Sequence, residues 1–399
     1  MGGYFVYLRD HGVTVNSLIL GGLSALVYVT ELLFAPLAGS LSDRRGRRSF
    51  LLAGLLLSAV AVLLIPLGST DIAVLPAAVI VGLVGMARLL EGLGAALSVP
   101  ATLGFLAEIT DELPALRGRS MGFFELASAL GIAAGAALGP LLWERFGLVA
   151  FVALAGLYLF AALLVLGVRE EPRDRPSDVT FSFHRYAHIL LYRPLVLFSP
   201  TWIAVNAILG VWISAQIEFV LAGNLHVGGQ QFVGSLHGRS GTLSAILGGY
   251  VFWFAVCVVI WALIVGRLSR LRTLLMTVFG AVPASVGLIA LNHGYSLLIF
   301  GPVVLIGVFL EAGFTPTALA HLADISQDFA RNRGLLLGLY FIMLGLGQVV
   351  GAVVGGLFAQ LAYFDGLAYL TMILACVAIG PLVVTMIVQP PRSDLAAAS

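Results

Sequence analysis

The chain has 399 residues, of which 60% are hydrophobic and 10% are charged, and its mean hydropathy is +1.05. These values exclude a water-soluble globular domain, so we predict an integral membrane protein. The net charge of +1 gives no reason to expect nucleic acid as a partner, and Cys257 and Cys376 lie too far apart in sequence to suggest a disulfide or a metal site.

Apolar segments long enough to cross a bilayer recur along the chain. About 20 apolar residues span a hydrocarbon core of roughly 30 Å. Eleven candidate spans meet this requirement, at residues 17–38, 49–68, 73–109, 118–143, 147–168, 194–222, 245–265, 273–292, 296–325, 335–362 and 366–388. The third candidate is longer than one crossing needs, and we expect its start to extend beyond the membrane.

Arginine positions predict the orientation of these spans, because cytoplasmic loops carry an excess of positive charge. All 21 basic residues are arginine, and 17 of them fall in alternate loops on one side. The opposite side holds Arg9, Arg145 and Arg239, and Arg88 lies inside a span. We therefore predict a multi-pass protein of the plasma membrane with a cytoplasmic C-terminus.

An internal repeat divides the chain. Residues 100–139 match residues 316–355 without a gap when the chain is shifted by 216 positions, so that Pro100 meets Pro316 and Glu108 meets Asp324. Such a repeat is typical of transporters built from two like-oriented halves.

The repeat predicts the domain organisation. We expect a five-span helical bundle at 1–168, a cytoplasmic linker at 169–193 and a six-span bundle at 194–399. The partner of residues 194–222 is missing from the first half, and residues 2–8 look like its last turn or two.

The loop "GSLSDRRGRR" carries the most specific motif. Its defined positions match the pattern G-x-x-x-D-[RK]-x-G-[RK]-[RK], through Gly39, Asp43, Arg44, Gly46, Arg47 and Arg48. In a chain with two repeated helical halves, this motif resembles the major facilitator superfamily of secondary transporters. The resemblance implies an all-α integral membrane fold of two pseudo-symmetric bundles, with about eleven of twelve expected helices present.

The resemblance also implies that this loop is a conformational latch, which holds the cytoplasmic side closed when the transporter faces outward. Gly39 and Gly46 would permit close approach and a turn. Asp43 would face a helix N-terminus in the other half, while the arginines would pair with acids such as Glu108. The alternative is that the four arginines only enforce topology.

Arg88 and Gly92 in "RLLEGLGAA" resemble the R-x-x-x-G element of the same superfamily. Arginine inside a bilayer is costly and needs a partner, and Glu91 lies one turn away on the same helix face. We predict that Glu91 exchanges protons according to whether Arg88 or solvent is its neighbour. A purely structural ion pair is the alternative.

Residues 131–140, "GIAAGAALGP", resemble a helix-packing motif associated with antiporters in this superfamily. Glycines at Gly131, Gly135 and Gly139 would form a flat stripe, and Pro140 would end or kink the helix. Leu142 and Trp143 replace the pair of glycines that usually follows, which weakens the inference of export.

Other acids inside predicted spans are candidates for binding a proton or a cationic solute, because a buried carboxylate must be protonated or paired unless water reaches it. We rank Glu91 and Glu311 first, and Glu31 and Glu125 next. Glu311 is expected near the membrane midplane.

Together these features predict a secondary transporter that works by alternating access and exports a small amphipathic or hydrophobic solute in exchange for protons. The alternatives are proton-coupled uptake of a sugar or organic acid, and a non-transporting membrane sensor or scaffold. The sequence carries no P-loop and no Ser/His/Asp set, so we expect no enzyme activity, no cofactor and no metal. Expected partners are the substrate, protons and the lipid bilayer, and we expect a monomer.

Overall fold

The computed structural model describes residues 2–67, 75–109, 114–168, 193–326 and 333–388. The chain divides into two compact units, Met1–Phe181 and Ser182–Ser399. The boundary between the units falls inside the predicted linker at 169–193, which lies almost entirely outside the described residues. The described residues are almost entirely helical, in agreement with the predicted all-α class.

Six helices make up the described part of the first unit. They are α1 (Gly2–Asp10), α2 (Ser17–Arg45), α3 (Arg47–Leu67), α4 (Ala77–Ile109), α5 (Pro114–Phe146) and α6 (Val149–Leu166). The side chain of Asn16 caps α2 by accepting a hydrogen bond from the backbone N–H of Ile19 at 2.9 Å. This bond satisfies one of the free donors that every helix leaves at its start.

The described part of the second unit contains eight helices and a short 3₁₀ turn at Val265–Arg267. The helices are α7 (Arg193–Ile213), α8 (Ala215–Ala222), α9 (Ser240–Ile264), α10 (Arg270–Phe279), α11 (Ala281–Asn292), α12 (Leu297–Ala312), α13 (Phe314–Ser326) and α14 (Arg333–Val388). Helix α14 contains a break, because the backbone of Ala362 and Tyr363 is not helical.

Each predicted span overlaps at least one helix of the described residues. Within the described ranges, nine helical stretches are long and apolar enough to cross a membrane. The last of them, Ile342–Ile387, contains two predicted spans, which the break at Tyr363 separates. The predicted span at 118–143 corresponds to α5.

Some predicted spans consist of two helices. The span predicted at 194–222 is two helices, because Ser214 adopts an extended backbone with φ −70° and ψ 154° between α7 and α8. The spans predicted at 273–292 and 296–325 each comprise two helices, which meet at Gly280 and at Gly313 respectively, where the backbone stays in the right-handed helical region. A β-carbon on Gly313 would lie 2.5 Å from the ring of Trp261, which is on α9. This glycine therefore allows α9 to approach the junction of α12 and α13 closely.

The segment at residues 2–8, which resembles a helix end, lies in the short helix α1. Its Tyr4 is buried, and the ring centroid of Tyr4 lies 5.9 Å from that of Trp143 and 5.7 Å from that of Phe151, both edge to face. Edge-to-face contacts of this kind stabilise packed aromatic groups. Helix α1 is therefore anchored on α5 and α6.

Small residues let the helices of each unit pack closely. In the first unit, a β-carbon on Gly54 would lie 2.6 Å from the backbone oxygen of Gly94. In the second, a β-carbon on Gly347 would lie 2.5 Å from Cβ of Asn206 and 2.6 Å from the backbone oxygen of Ile203. No hydrophobic effect drives helices together in lipid, so such close contacts carry much of the packing energy.

Replacing Gly347 by alanine should destabilise the second unit by about 1 to 3 kcal/mol, because the added methyl group overlaps α7. Thermal unfolding in detergent, followed by near-UV circular dichroism, would measure the change. Gly249→Ala is the matched control, since Gly249 lies on α9 and nothing lies within 4 Å of its β-carbon position. Equal stability of the two variants would contradict the close contact between α7 and α14.

Candidate functional site

An ion pair inside the spanning part of α4 is the central polar feature of the first unit. The guanidinium of Arg88 pairs with the carboxylate of Glu91, as their spacing predicts. Their side chains are only 14% and 24% exposed. Arg88 Nε has no hydrogen-bond partner among the described residues. Glu91 is therefore the main group that compensates the positive charge of Arg88.

Polar side chains from two further helices surround the ion pair. Tyr28 on α2 lies within electrostatic range of Glu31, Glu91 and Arg88. Tyr158 on α6 lies within range of Glu91 and Arg88. Three helices of one unit therefore contribute to a single polar cluster within the membrane-spanning region, which we call the α4 cluster and define as these five residues.

Gly92 sets the distance between α2 and α4 beside this cluster. A β-carbon on Gly92 would lie 2.9 Å from Cβ of Thr30 and would overlap the backbone oxygen of Val27. Only glycine permits this approach, and it brings the helix that carries Tyr28 and Glu31 against the helix that carries Glu91. The R-x-x-x-G element thus combines a charge with the close packing beside it.

Sequence reasoning found Arg88, Glu91 and Glu31 but missed Tyr28 and Tyr158. Tyr28 lies three residues before Glu31, so the two share a helix face, and that spacing could have identified it. Tyr158 lies in a helix without other ionisable groups, and only the packing of α6 brings it to the cluster.

Glu311 lies in the second unit, on the last turn of α12. Tyr250 on α9 is within its electrostatic range. Both side chains line a cavity of about 530 Å³ inside this unit. The structure therefore gives Glu311 an apolar cavity with one nearby phenol.

The predicted latch loop is compact. Gly46 ends α2 with φ 101°, a left-handed conformation that favours glycine, and α3 begins at the next residue. Asp43 forms an ion pair with Arg47 at 2.6 Å across this turn. A β-carbon on Gly39 would lie 3.4 Å from Cβ of Pro100, so the start of the motif contacts α4.

The arginines of the loop reach other helices of the same unit. Arg48 donates a hydrogen bond to the backbone oxygen of Leu166, at the end of α6. The guanidinium of Arg47 lies over Gly104 of α4. The side chain of Glu108 lies outside the described residues, so its pairing with these arginines stays a prediction, as do the roles of Asp43 and Arg44.

The glycine stripe on α5 differs from its repeat in the second unit. Gly131, Gly135 and Gly139 are exposed, and no described atom lies within 4 Å of their β-carbon positions. The matching residues Gly347 and Gly351 pack against α7. Pro140 is buried within α5. Close packing of the α5 stripe therefore stays a prediction, as does a gating role for Glu125, whose side chain is not described.

Comparison with known proteins identifies the family. A family model described as Major Facilitator Superfamily matches residues 2–310 and 227–398. "Multidrug resistance protein 1" of Bacillus subtilis (strain 168) is 23% identical over 348 residues, which cover 85% of this chain and 80% of that protein.

"Quinolone resistance protein NorA" of Staphylococcus aureus (strain MSSA476) is 20% identical over 351 residues, which cover 88% of this chain and 83% of that protein. The crystal structure of the nucleoside transporter NupG shares the fold, with a TM-score of 0.69 at 11% identity over 96% of this chain and 92% of that one. Because the family match extends over almost the whole chain, the protein belongs to the major facilitator superfamily and is a multi-pass membrane transporter.

Proposed function

We propose that this transporter exports a small amphipathic or hydrophobic solute in exchange for protons, by alternating access. The α4 cluster is the observation that carries the proposal, because it places an arginine, two carboxylates and two phenols within spanning helices. Ionisable groups in this position mark ion or substrate pathways in membrane proteins. The relatives named as multidrug and quinolone resistance proteins support export.

Charge balance gives the cluster its proposed coupling role. The Arg88–Glu91 pair is neutral as a unit, so it is tolerated within the membrane. A proton on Glu91 would leave Arg88 without its counter-ion, and the protein must then offer Arg88 water or another acid, such as Glu31. Protonation is therefore coupled to a change in what surrounds Arg88, which an exchanger of protons for solute requires.

Glu311 is the proposed second carboxyl group. It lies in apolar surroundings beside Tyr250, with no arginine or histidine among the described residues that line its cavity. Such a group takes a proton or a hydrogen-bond donor when water is excluded. The apolar walls favour an amphipathic solute over a sugar, which would need many polar contacts.

Asp43 and Arg47 are proposed to act in the conformational change and not in binding. Their ion pair lies at the turn between α2 and α3, where Asp43 is half exposed. Ion pairs at the protein surface typically contribute only about 0.2 to 1 kcal/mol to stability. A role for Asp43 must therefore come from contacts that differ between states of the transport cycle.

Glu91→Gln should lower proton-driven transport by about tenfold or more, because a carboxamide cannot take up a proton within the membrane. The measurement is accumulation of fluorescent hydrophobic dyes in everted membrane vesicles, over a series of imposed pH gradients. The wild-type rate should rise with the gradient, and the variant rate should stay flat. Glu144→Gln, at the exposed end of α5, is the control and should behave as wild type.

A second variant separates coupling from a purely structural role of the ion pair. Removing both partners in Arg88→Gln/Glu91→Gln should recover the thermal stability that Glu91→Gln loses, since no unpaired charge is left. Proton dependence should remain absent in the double variant. If transport returned together with stability, the pair would be structural and the coupling proposal would be wrong.

Asp43→Asn should slow transport severalfold while it leaves the unfolding temperature almost unchanged, since the exposed ion pair contributes little to stability. Initial transport rates and unfolding curves, measured on the same preparation, would test this. Asp10→Asn, at the exposed end of α1, serves as the comparison. A rate equal to wild type would remove Asp43 from the conformational latch.

A further inference from the structure

A cavity of about 530 Å³ lies within the second unit alone. Its walls come from α7, α8, the loop that follows α8, α9, α11, α12 and α14. Apolar side chains form most of the lining, among them Ile246, Leu288, Val304 and Phe364. The volume falls within the range of roughly 300 to 1,000 Å³ that is typical of sites for drug-sized ligands.

Two polar groups stand out against this apolar lining. Ser285 on α11 is 1% exposed, and its hydroxyl has no hydrogen-bond partner in the described structure. A serine within a helix usually bonds a carbonyl of the preceding turn, so an unpaired buried hydroxyl carries a free-energy cost. The second group is the carboxyl group of Glu311, which lines the same cavity. A hydrogen bond from a ligand to either group would offset the free-energy cost of burying it without a partner.

Trp212 and Thr371, two other polar residues of the wall, form a hydrogen bond with each other. The indole N–H of Trp212 donates a hydrogen bond to the hydroxyl of Thr371 at 3.0 Å. This bond fixes the indole plane at the cavity surface. Ser285 and Glu311 are therefore two polar groups of the lining that a ligand can engage.

One wall of the cavity is a loop that a polar network holds in place. The loop contributes Gln231, Phe232, Ser235 and Leu236 to the lining. The backbone N–H of Phe232 donates to the side-chain oxygen of Asn292 at 2.8 Å. Asn292 donates in turn to the carboxylate of Asp365 at 2.8 Å.

His293 completes this network, because its Nε2 lies 2.7 Å from the other carboxylate oxygen of Asp365. The network joins the loop to the end of α11 and to the break in α14. A wall held in this way is preorganised, which lowers the entropic cost of binding.

We propose that this cavity is a binding site for an apolar, drug-sized molecule that carries one hydrogen-bond-donating group. The side-chain oxygens of Ser285 and Glu311 are the acceptors for that group. The apolar body lies against the walls of α9, α11 and α12. The site belongs to one unit and needs neither a proton gradient nor a transport cycle. The inference rests on the proposed function, which assigns Glu311 and the apolar walls of this cavity to the solute, but its test measures binding without transport.

The test uses a matched pair of probes, 6-bromo-2-naphthol and 2-bromo-6-methoxynaphthalene, on the purified full-length protein in detergent. Bromine quenches indole fluorescence at short range, and Trp212 lines the cavity. The naphthol should quench in a saturable manner and bind about tenfold more tightly than the ether, which lacks the donor. Trp212→Phe should remove the saturable part of the quenching.

Two serine variants locate the hydrogen bond. Ser285→Ala should weaken naphthol binding by about three- to tenfold and leave ether binding unchanged. Ser244→Ala is the matched control, since Ser244 is also buried with an unpartnered hydroxyl but does not line the cavity. It should leave both probes unaffected.

Equal affinity for the two probes, with no effect of Ser285→Ala, would overturn the proposal and indicate an apolar occupant such as a lipid chain. Quenching that never saturates would overturn it as well, since it reports partition into the detergent. Binding as expected without any proton-driven transport would reject the export proposal and leave the cavity site intact.

Discussion

The cost of an unpaired charge in hydrocarbon is the constraint on which the first unit depends. Arg88 lies in a spanning helix, and its guanidinium remains charged at any physiological pH. The protein compensates it within the same helix through Glu91, and the surrounding groups from α2 and α6 follow from that choice. A neutral pair can stay in the membrane at rest. In the proposed function, protonation of Glu91 removes this compensation, and a new partner for Arg88 must then come from water or from a neighbouring helix.

Close packing and charge placement are coupled in this fold. Gly92 lies next to Glu91 in sequence, and it brings α2 so near that a methyl group would overlap Val27. The same five-residue element thus supplies a charge and lets two helices approach closely beside it. In the second unit, Gly347 and Gly351 allow α7 to pack closely against α14. There the acidic group, Glu311, lies beside a cavity and has no arginine in its lining.

The sequence predicted the helical spans and the Arg88–Glu91 pair, because a hydrophobic length and a spacing of three residues are local properties. It did not predict the break at Ser214 or the position of Tyr158, and the latter depends on how α6 packs beside α4. The unpartnered hydroxyl of Ser285 is also invisible in sequence, because serine in a helix normally bonds its own backbone. The glycine stripe on α5 shows the converse case. Its sequence is that of a packed face, yet its described surroundings are open.

Gly46 is the only residue between α2 and α3, and its positive φ of 101° turns the chain directly from one helix into the other. Because consecutive Cα atoms are about 3.8 Å apart, the end of α2 and the start of α3 must stay close together in any conformation. Helix α2 also contacts α4 at Gly92, so the same helix touches both this turn and the helix that carries Arg88. The turn at Gly46 and the contact at Gly92 therefore involve one continuous helix, α2, which connects the proposed latch loop with the α4 cluster.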